Sequence, residues 1–430
     1  MDHNITTQPV FEENANIAPD LNQALGDAKD LLDSILNDQF YESMQLQAGE
    51  KLVVAMSGGV DSSVTAALLH HAGYEIVGLT LQLYNHGAAV SRKGACCAGQ
   101  DIYDAKQAAA KLGIPHYVMD METQFRQAVI DDFADSYARG ETPVPCIRCN
   151  QSVKFHDLLG FAKSLGAKAL ATGHYIERGL NDNNIPWLRQ GHDLKKDQSY
   201  FLFATTKPQL DFLRFPLGGI NKAQTRQLAL YFGLDIAEKP DSQDICFVPN
   251  GNYADIVQKL RPDAFIPGDI VDMDGNILGH HNGIANYTIG QRKGLGIGGR
   301  ADNDQISHGK HPPLYVVRLD AVKARVIVGS KHDLACHKIL LNQVNWLGEQ
   351  ALSKQAPLDI WVKIRSVMQP VRATLTLNQI GDVHIIFEQA QYGVSAGQAC
   401  VFYEDQADLD QTAQAKLKML GGGWIVDRIT

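Results

Sequence analysis

The fold of this chain is decided by residues Ser57–Ser63, Ser-Gly-Gly-Val-Asp-Ser-Ser, which directly follow the apolar run Leu52-Val53-Val54-Ala55-Met56. A short buried strand that breaks into glycines and then starts a helix creates an anion site. Glycines let the backbone approach a ligand closely, and the free N–H groups at the start of the helix point towards it. No Gly-Lys-Ser/Thr follows the glycines, so the pattern is not a Walker phosphate loop. A glycine turn without a ligand is the alternative, and the strand and helix on either side favour the anion site.

The size and composition of the chain indicate a soluble protein of two or three domains. It has 430 residues, of which 45% are hydrophobic and 20% are charged, and this length exceeds one typical core. No apolar run approaches the roughly 20 residues that span a bilayer, so no membrane partner is expected. The net charge of −9 argues weakly against a nucleic-acid partner. Local basic stretches nevertheless occur at Gln291–Arg300 and at Lys363, Arg365 and Arg372.

Short apolar strands alternate with amphipathic helices from Lys51 to about Gly233, which predicts an α/β domain with a doubly wound parallel sheet. Ligands of such sheets bind at the carboxyl ends of the strands, where the glycine loop, residues Ser57–Ser62, lies. A segment rich in Gly, Pro, Asn and Asp follows. Strand-like segments, beginning with Leu314–Leu319 and Arg325–Val328, then predict a β-barrel. The predicted units are an acidic extension at residues 1–48, a catalytic domain at 49–249, a small central linker domain at 250–311 and a C-terminal β-barrel at 312–430.

The acidic extension has Lys29 as its single basic residue. This composition differs from that of a secretory signal and from that of an Arg-rich transit peptide. We predict a loose segment with one helix over Leu21–Leu36, and its role stays open.

Seven cysteines, an odd number without a secretory signal, indicate a reducing compartment and thiol or metal chemistry. Cys146 and Cys149 form a Cys-x-x-Cys pair after the stiff loop Thr142-Pro143-Val144-Pro145, and Cys246 stands about a hundred residues downstream. Arg148, beside Cys149, is expected to lower the pKa of that thiol. Buried, inert thiols are the favoured interpretation for the other four cysteines, which are Cys96, Cys97, Cys336 and Cys400.

The three cysteines Cys146, Cys149 and Cys246 admit several functional interpretations. A structural zinc site needs four ligands, and the sequence has no second Cys-x-x-Cys or nearby pair of histidines. An iron–sulfur cluster on the three cysteines would leave one coordination position open. Alternatively, Cys149 and Cys246 are two reactive thiols that exchange sulfur within one site. We favour this exchange of sulfur.

Separated motifs follow one another along the chain in a characteristic order. They are Ala55–Ser63, Cys149-Asn150 leading to Val153-Lys154-Phe155, Ala171–Tyr175, Lys196–Tyr200, Asp241-Ser242 leading to Ile245-Cys246-Phe247, Gly290–Gly296, and Gly397-Gln398. With these motifs the chain resembles the bacterial tRNA-specific 2-thiouridylases, which belong to the PP-loop superfamily of ATP pyrophosphatases. The resemblance covers about residues 50–430.

The resemblance implies that the chain 2-thiolates the wobble uridine, U34, in the anticodon loop of certain tRNAs. The uracil C2 oxygen would attack the α-phosphate of ATP and expel pyrophosphate, because AMP is a far better leaving group than a carbonyl oxygen. Mg²⁺ would offset the charge of the triphosphate. The ATP-binding residues implied by the resemblance are Ala55, Met56, Ser57, Gly58, Gly59, Val60, Asp61, Ser62, Leu81 and Gly173.

The same resemblance implies roles for the cysteines and for a tRNA surface in the cytoplasm. Cys246 would carry a persulfide received from a sulfur-relay protein or a cysteine desulfurase, and Cys149 would be the second thiol, which ends in a disulfide with Cys246. The target base would leave its stack and enter a pocket. Residues Val144, Pro145 and Cys146 would touch that base, and other contacts with tRNA would come from His174, Lys196, Asp197, Gln198, Arg365, Ser366 and Gln398.

One residue departs from the pattern of the family. Relatives commonly have Asn-Pro-Asp where this chain has Val144-Pro145-Cys146, and that aspartate is the expected proton shuttle. A thiol with a pKa near 8.5 can also move a proton, so Cys146 is a proton shuttle, a cluster ligand or a bystander.

Two further functions stay open at this stage. One is that of an AMP-forming amidating synthetase of the same superfamily, which would need no paired thiols. The other is that of a non-catalytic tRNA-binding module, against which the glycine loop and the two cysteines argue.

Overall fold

A computed structural model describes residues 19–84, 97–240, 245–248, 253–297, 312–405 and 416–429. The first domain contains the helices α1 (Pro19–Ile35), α2 (Asp38–Met44), α3 (Val60–His71), α4 (Cys97–Lys111), α5 (Glu122–Phe125), α6 (Asp131–Ala138), α7 (Pro145–Arg148), α8 (Asp157–Ser164), α9 (Lys207–Phe212) and α10 (Lys222–Tyr231). π-Helical turns at Arg126–Ile130 and Cys149–Lys154 continue α5 and α7. The strands of this domain are β1 (Lys51–Ala55), β2 (Glu75–Gln82), β3 (His116–Asp120), β4 (Ala169–Ala171), β5 (Ile176–Leu180), β6 (Pro186–Gln190) and β7 (Leu213–Arg214).

Five of these strands form one parallel sheet in the order β3-β2-β1-β4-β7. Successive side chains of the central strand β1 pack in two different hydrophobic cores, because successive side chains of a strand point to opposite faces of the sheet. Leu52 and Val54 pack in the core that contains α3, whereas Val53 packs in the core that contains Phe155 and Leu158. Helices therefore cover both faces, which confirms the predicted α/β fold with a doubly wound sheet.

The N-terminal segment differs from the predicted loose extension over residues 19–48. Leu32 on α1 and Met44 on α2 are buried in the same core as α3. Two buried arginines hold the end of α2, because Arg178 Nη1 donates to the Ser43 carbonyl at 3.0 Å and Arg214 Nε donates to the Met44 carbonyl at 2.5 Å. The acidic residues obscured this packing in the sequence, since one apolar stripe is enough to dock an amphipathic helix. Residues 1–18 lie outside the described part of the chain.

The central domain contains α11 (Tyr253–Leu260) and the strands β8 (Gly268–Val271), β9 (Ile277–His281), β10 (Tyr315–Asp320) and β11 (Arg325–Gly329). These strands form a sheet in the order β10-β11-β8-β9. The sequence analysis placed β10 and β11 in the C-terminal barrel, but β11 pairs in parallel with β8, with Arg325 opposite Asp269. The central domain therefore extends to about Gly329. An alternating pattern shows that a segment is a strand, but it does not show which sheet the strand joins.

The C-terminal domain is a closed barrel of six strands, as predicted: β12 (Ala335–Trp346), β13 (Leu358–Lys363), β14 (Val371–Leu377), β15 (Val383–Tyr392), β16 (Ala399–Glu404) and β17 (Lys418–Ile429). Pairing of β12 with β17 closes it. Gly421 allows this closure because its φ is +122° and a Cβ atom there would lie 2.0 Å from the Asn345 carbonyl oxygen. The hairpin β5–β6 of the first domain extends the barrel sheet, with Arg189 opposite Lys418. None of the helices in the described ranges is long and apolar enough to cross a membrane.

Candidate active site at the carboxyl end of the parallel sheet

The glycine loop connects β1 to α3 and is held by hydrogen bonds of its own. Ser62 Oγ accepts a hydrogen bond from the Ser57 N–H at 3.1 Å and donates one to the Gly59 carbonyl at 3.1 Å. Gly59 is the N-cap of α3 and has no side chain to cap it, so the first N–H groups of this 12-residue helix have no partner within the helix. Gly58 has a φ of +74°, and a Cβ atom there would lie 2.0 Å from the Asp101 carbonyl oxygen. Only glycine fits this turn, and N–H groups without a partner in the helix suit an anion.

Asp61, in the first turn of α3, is held by side chains from two other segments. Lys222 Nζ lies 2.8 Å and 2.9 Å from its two carboxylate oxygens, and the Tyr175 hydroxyl donates to it at 2.8 Å. Gly173 packs against this turn, since a Cβ atom there would lie 2.8 Å from the Asp61 carbonyl carbon. Of the residues that the sequence predicted for ATP, Gly173 therefore lies against the glycine loop. Leu81, at the end of β2, is half-buried between two hydrophobic clusters.

Lys239 joins the glycine loop to the segment that leads towards Cys246. Its ammonium donates to the Gly58 carbonyl at 3.0 Å, to Asp101 at 2.8 Å and to Asp104 at 2.5 Å. The sequence analysis did not select Lys239 or Lys222. Their partners lie far away in sequence, so only the folded chain shows the three ion pairs with Asp61, Asp101 and Asp104.

The thiols of Cys146, Cys149 and Cys246 act electrostatically on one another. Cys146 lies in α7 and Cys149 begins the π-helical turn that follows. Cys149 is buried, whereas Cys146 and Cys246 remain accessible to solvent. Phe247 anchors the loop of Cys246, since its ring centroid lies 5.8 Å from that of Phe125 in the cluster that also contains Cys149.

Burial and the charges of neighbouring side chains set the pKa values of these three thiols. Desolvation, together with negative charge on Cys149 and Cys146, raises the pKa of Cys246 to about 12, although part of the residue is accessible. Desolvation also raises the pKa values of Cys146 and Cys149. Lys154, at the end of the π-helical turn, lowers the pKa of all three thiols. The three thiols and this one ammonium therefore belong to a single electrostatic environment.

Arg148 does not act as the sequence analysis expected. Its guanidinium lies over the Trp424 ring at 4.2 Å from the centroid, and its Nη1 donates to Gln343 Oε1 at 3.0 Å. Both partners are on the barrel, and Lys154 is the cation that acts on Cys149. Lys154 was part of a motif in the sequence, but its role was missed because a lysine between two apolar residues gives no sign of what it faces.

His174 lies next to the glycine that packs against α3. It follows Gly173, and its Nδ1 shares a hydrogen bond of 2.7 Å with the Thr172 hydroxyl. Burial, together with the charge of Lys154, lowers the pKa of His174 to about 3. The imidazole is therefore neutral at physiological pH.

The predicted tRNA contacts fall into two groups. Arg365 is exposed, and Lys196, His174, Ser366 and Val144 are half-buried, whereas Pro145 is buried. Gln198 and Gln398 bind other parts of the chain: Gln198 Oε1 accepts from the Tyr175 N–H at 3.0 Å, and Gln398 Nε2 donates to the Thr142 carbonyl at 2.9 Å. These two glutamine side chains therefore hold the backbone at Tyr175 and at Thr142.

Asp197 was predicted to contact tRNA, and the structure places it in the interior instead. Its side chain is 1% exposed and lies 3.7 Å from the Lys363 ammonium. Its carboxylate accepts hydrogen bonds from the Ser199 N–H at 3.1 Å, the Ser199 hydroxyl at 2.7 Å and the Gly191 N–H at 3.2 Å. Its acceptor positions are occupied by the chain itself, so it organises the turn rather than meeting a ligand. A polar segment in the sequence does not reveal which of its residues is enclosed.

A ligand set for a metal is not formed by the side chains that the structure describes. Within the described ranges, no group of three or more His, Cys, Asp or Glu side chains could hold a metal ion. The three thiols share one environment without converging on a common point.

Comparisons with known proteins match all three domains. Family profiles described as tRNA methyl transferase HUP domain, tRNA methyl transferase PRC-barrel domain and aminomethyltransferase beta-barrel domain match residues 50–250, 254–330 and 336–425. The tRNA-specific 2-thiouridylase MnmA of Maricaulis maris is 57% identical over 375 residues, which cover 87% of this chain and 87% of the relative. The chain belongs to the tRNA-specific 2-thiouridylase family. The member of this family from Caulobacter vibrioides is 53% identical over 88% of this chain and 95% of its own.

Comparison of this chain with solved structures gives weaker matches. A complex of a 4-thiouridine synthetase with RNA and bound ATP has a TM-score of 0.33 and 17% sequence identity, over 50% of this chain and 51% of that chain. The NMN synthetase from Francisella tularensis has a TM-score of 0.32 and 18% sequence identity, over 55% of this chain and 86% of that chain.

Proposed function

We propose that this chain is an ATP-dependent tRNA-uridine 2-sulfurtransferase that converts the wobble uridine U34 to 2-thiouridine. One observation carries the proposal: Lys154 acts on the three thiols and also on His174, which follows the glycine that packs against Asp61. These interactions support a site in which the glycine loop and the two thiols serve one bound base. A base bound between them would be activated on one side and thiolated on the other.

ATP is the substrate that fits the glycine loop. Its phosphates would lie on the unpaired N–H groups at the start of α3, with residues Ala55–Ser62, Leu81 and Gly173 around the nucleotide. Attack of the uracil C2 oxygen on the α-phosphate expels pyrophosphate and leaves an adenylated base. Mg²⁺ would reach the site with the triphosphate, whose charge it offsets. Asp61 is already neutralised by Lys222.

Sulfur transfer follows from the two thiols. A Cys246 persulfide, supplied by a sulfur-relay protein or a cysteine desulfurase, attacks C2 through its terminal sulfur, and AMP leaves. The Cys149 thiolate then attacks the sulfur of Cys246, the bond to the terminal sulfur breaks, and its electron pair completes the 2-thiouridine. The step leaves a Cys149–Cys246 disulfide.

Recognition of tRNA would use residues of the predicted set from separate segments of the chain. Arg365 and Lys196 supply positive charge for phosphates, while Val144, Pro145 and Cys146 would line the pocket of the base. A cytoplasmic place of action is part of the same proposal, since it is where such a tRNA substrate is processed.

A cluster-dependent thiolase is the second candidate because Cys146 adds a third thiol beside Cys149. An iron–sulfur cluster would require the Cys246 loop to move towards α7, since the described side chains form no ligand set. A brown anaerobic preparation whose activity depends on Cys146 would favour this candidate.

The proposal is tested by incubating anaerobically purified protein with ATP, Mg²⁺, a persulfide source and unmodified tRNA, and by weighing the digested nucleosides. We expect uridine to gain one sulfur for one oxygen at C2, and the gain to require ATP. The variants Cys149→Ser and Cys246→Ser should lose thiolation and keep tRNA binding, and Asp61→Ala should lose adenylation. Pyrophosphate release with a small carboxylate and without RNA would contradict the proposal and favour an amidating synthetase.

A further inference from the structure

Cys146 has no assigned part in the sulfur transfer, yet it shares a site with both thiols that do. It stands three residues before Cys149 in a helical segment that is unbroken from Pro145 to Lys154. Negative charge on Cys146 raises the pKa of Cys149 and of Cys246, so the three thiols titrate in one electrostatic environment. Cys146 is also accessible to solvent, whereas Cys149 is buried.

The spacing of Cys146 and Cys149 suits a disulfide between them. Residues three apart on a helix lie on the same face, with Cβ atoms roughly 5–6 Å apart, and a disulfide joins Cβ atoms about 3.5–4.5 Å apart. The difference is about 1–2 Å. Cys146 lies in the first turn of its helix, where no preceding turn resists such a shift. The Cys246 loop, by contrast, must be held against α7 whenever Cys149 and Cys246 are joined.

We propose that Cys146 and Cys149 form a redox-active dithiol that opens the Cys149–Cys246 disulfide after each sulfur transfer. This proposal rests on the proposed function, because the sulfur transfer is what produces the Cys149–Cys246 disulfide. The Cys146 thiolate attacks the sulfur of Cys149, the bond between Cys149 and Cys246 breaks, and Cys246 leaves as a thiolate. The proton that Cys146 loses is balanced by the proton that Cys246 regains.

The exchange conserves oxidation state, so an outside reductant is still needed once in each cycle. A dithiol reductant of the thioredoxin class would reduce the Cys146–Cys149 disulfide, whose Cys146 sulfur is the accessible one. Cys246 is released before that reduction. It can then accept the next persulfide while the local disulfide waits for the reductant.

The sequence allows the three pairings to be distinguished directly. Trypsin cleaves after Arg139, Arg148 and Lys154, and it does not cleave between Lys239 and Pro240. Cys146, Cys149 and Cys246 therefore fall on three different peptides, residues 140–148, 149–154 and 227–259. Each possible disulfide gives a cross-linked pair of its own mass.

The test oxidises the full-length protein with glutathione disulfide in the absence of ATP and tRNA. Samples are quenched with N-ethylmaleimide at intervals, digested and weighed. In the wild type we expect the Cys146–Cys149 pair to become the main product, and Cys246 to be alkylated. In Cys146→Ser the Cys149–Cys246 pair should persist, at about tenfold or more its level in the wild type.

Two further variants complete the test. Cys146→Asp introduces the residue that relatives commonly carry, and it should behave as Cys146→Ser does. Cys336→Ser alters a buried cysteine of the barrel and should leave the wild-type pairing unchanged. Thermal unfolding of each variant identifies any loss of fold.

The proposal is overturned if the wild type accumulates Cys149–Cys246 while Cys146 is alkylated. It is also overturned if anaerobic protein supplied with iron and sulfide protects all three thiols together, because a cluster would then occupy them. Since the test omits ATP and tRNA, its result is separate from that of the thiolation assay. If the Cys146–Cys149 disulfide forms but the protein does not thiolate tRNA, the redox-active dithiol is supported and the proposed function alone is refuted.

Discussion

Gln398 Nε2 donates a hydrogen bond of 2.9 Å to the carbonyl oxygen of Thr142. This contact joins the barrel to the loop that leads into α7, and the Thr142 N–H strengthens it by donating to the Ala396 carbonyl at 2.8 Å. The barrel therefore sets the position of the cysteine helix. A domain that would carry tRNA contacts also determines where the thiols lie.

Gln398→Ala should slow thiolation more than it weakens tRNA binding. Loss of the bond leaves the Thr142 carbonyl without that partner and loosens the loop, so we expect kcat to fall about tenfold with KM for tRNA changed less than about threefold. Steady-state kinetics measure both. The exposed Gln389, changed to alanine, is the matched control. A rise confined to KM would show instead that Gln398 contacts the tRNA directly.

The ion pair between Lys222 and Asp61 should matter for the nucleotide and for stability. The side chains of Lys222 and Asp61 are 13% and 32% exposed, so Lys222→Met should lower the free energy of unfolding by about 1–2 kcal/mol after allowance for solvent screening. Pyrophosphate release should fall about tenfold or more because Asp61 would no longer be neutralised beside the phosphates. Urea unfolding and a pyrophosphate assay check the two effects.

The exposed pair of Lys51 and Glu75 supplies the control for that experiment. Lys51→Met should change the free energy of unfolding by less than about 0.5 kcal/mol and leave pyrophosphate release unchanged. Equal losses in both variants would refute a special role for Lys222.

Lys154→Met should make the thiols less acidic. The Lys154 charge lowers the pKa values of Cys146, Cys149 and Cys246, so its removal raises them and leaves less thiolate at neutral pH. The rate of alkylation of Cys246 by iodoacetamide should drop, about tenfold for each unit of pKa change, and its pH profile should move to higher pH. Lys154→Arg should restore the profile, whereas an unchanged profile in Lys154→Met would refute the electrostatic role.

His174 should make stability depend on pH. Its pKa in the folded protein is about 3, below the ordinary value of 6.5, so the unfolded chain binds more protons between these values. Stability is therefore fully present above about pH 6.5 and is lost as the pH falls. When the pH falls from about 7.5 to about 5, the free energy of unfolding of His174→Gln should decrease by about 1–2 kcal/mol less than that of the wild type. Urea unfolding at the two pH values measures this difference. Parallel losses would assign the pH dependence to other groups, such as His71 and His116, whose pKa values burial also lowers.

Local chemistry explains which parts of the fold and site the sequence could predict. The run from Leu52 to Ser63 combines a buried strand, a glycine turn and a helix start within a dozen residues, so the pattern alone predicts β1, the glycine loop and α3. The motif of Gly173 likewise predicted a residue near the nucleotide, and only glycine fits against Asp61 and Ser62. Such features depend on neighbours in sequence.

Long-range packing explains the rest. Lys222 and Lys239 bind partners more than a hundred residues away, and lysines on the surface of a helix look alike in a sequence. Asp197 looks like a surface residue of a polar loop until the barrel and the Ser199 turn enclose it. β11 alternates as a barrel strand would, yet its partner is β8. In each case the deciding interaction forms only when separate segments meet.

The hairpin β5–β6 has a consequence for how the chain is made. Its second strand, β6, pairs with β17, which is synthesised long after β6, so the newly made first domain carries an open strand edge until β17 has been translated. An unpaired edge is a template for association with other chains. Cutting the chain after the first domain would make that exposure permanent. The parallel sheet of the first domain is therefore complete without the barrel, whereas the edge of β6 is covered by β17. We expect the solubility of the first domain to depend on that barrel strand.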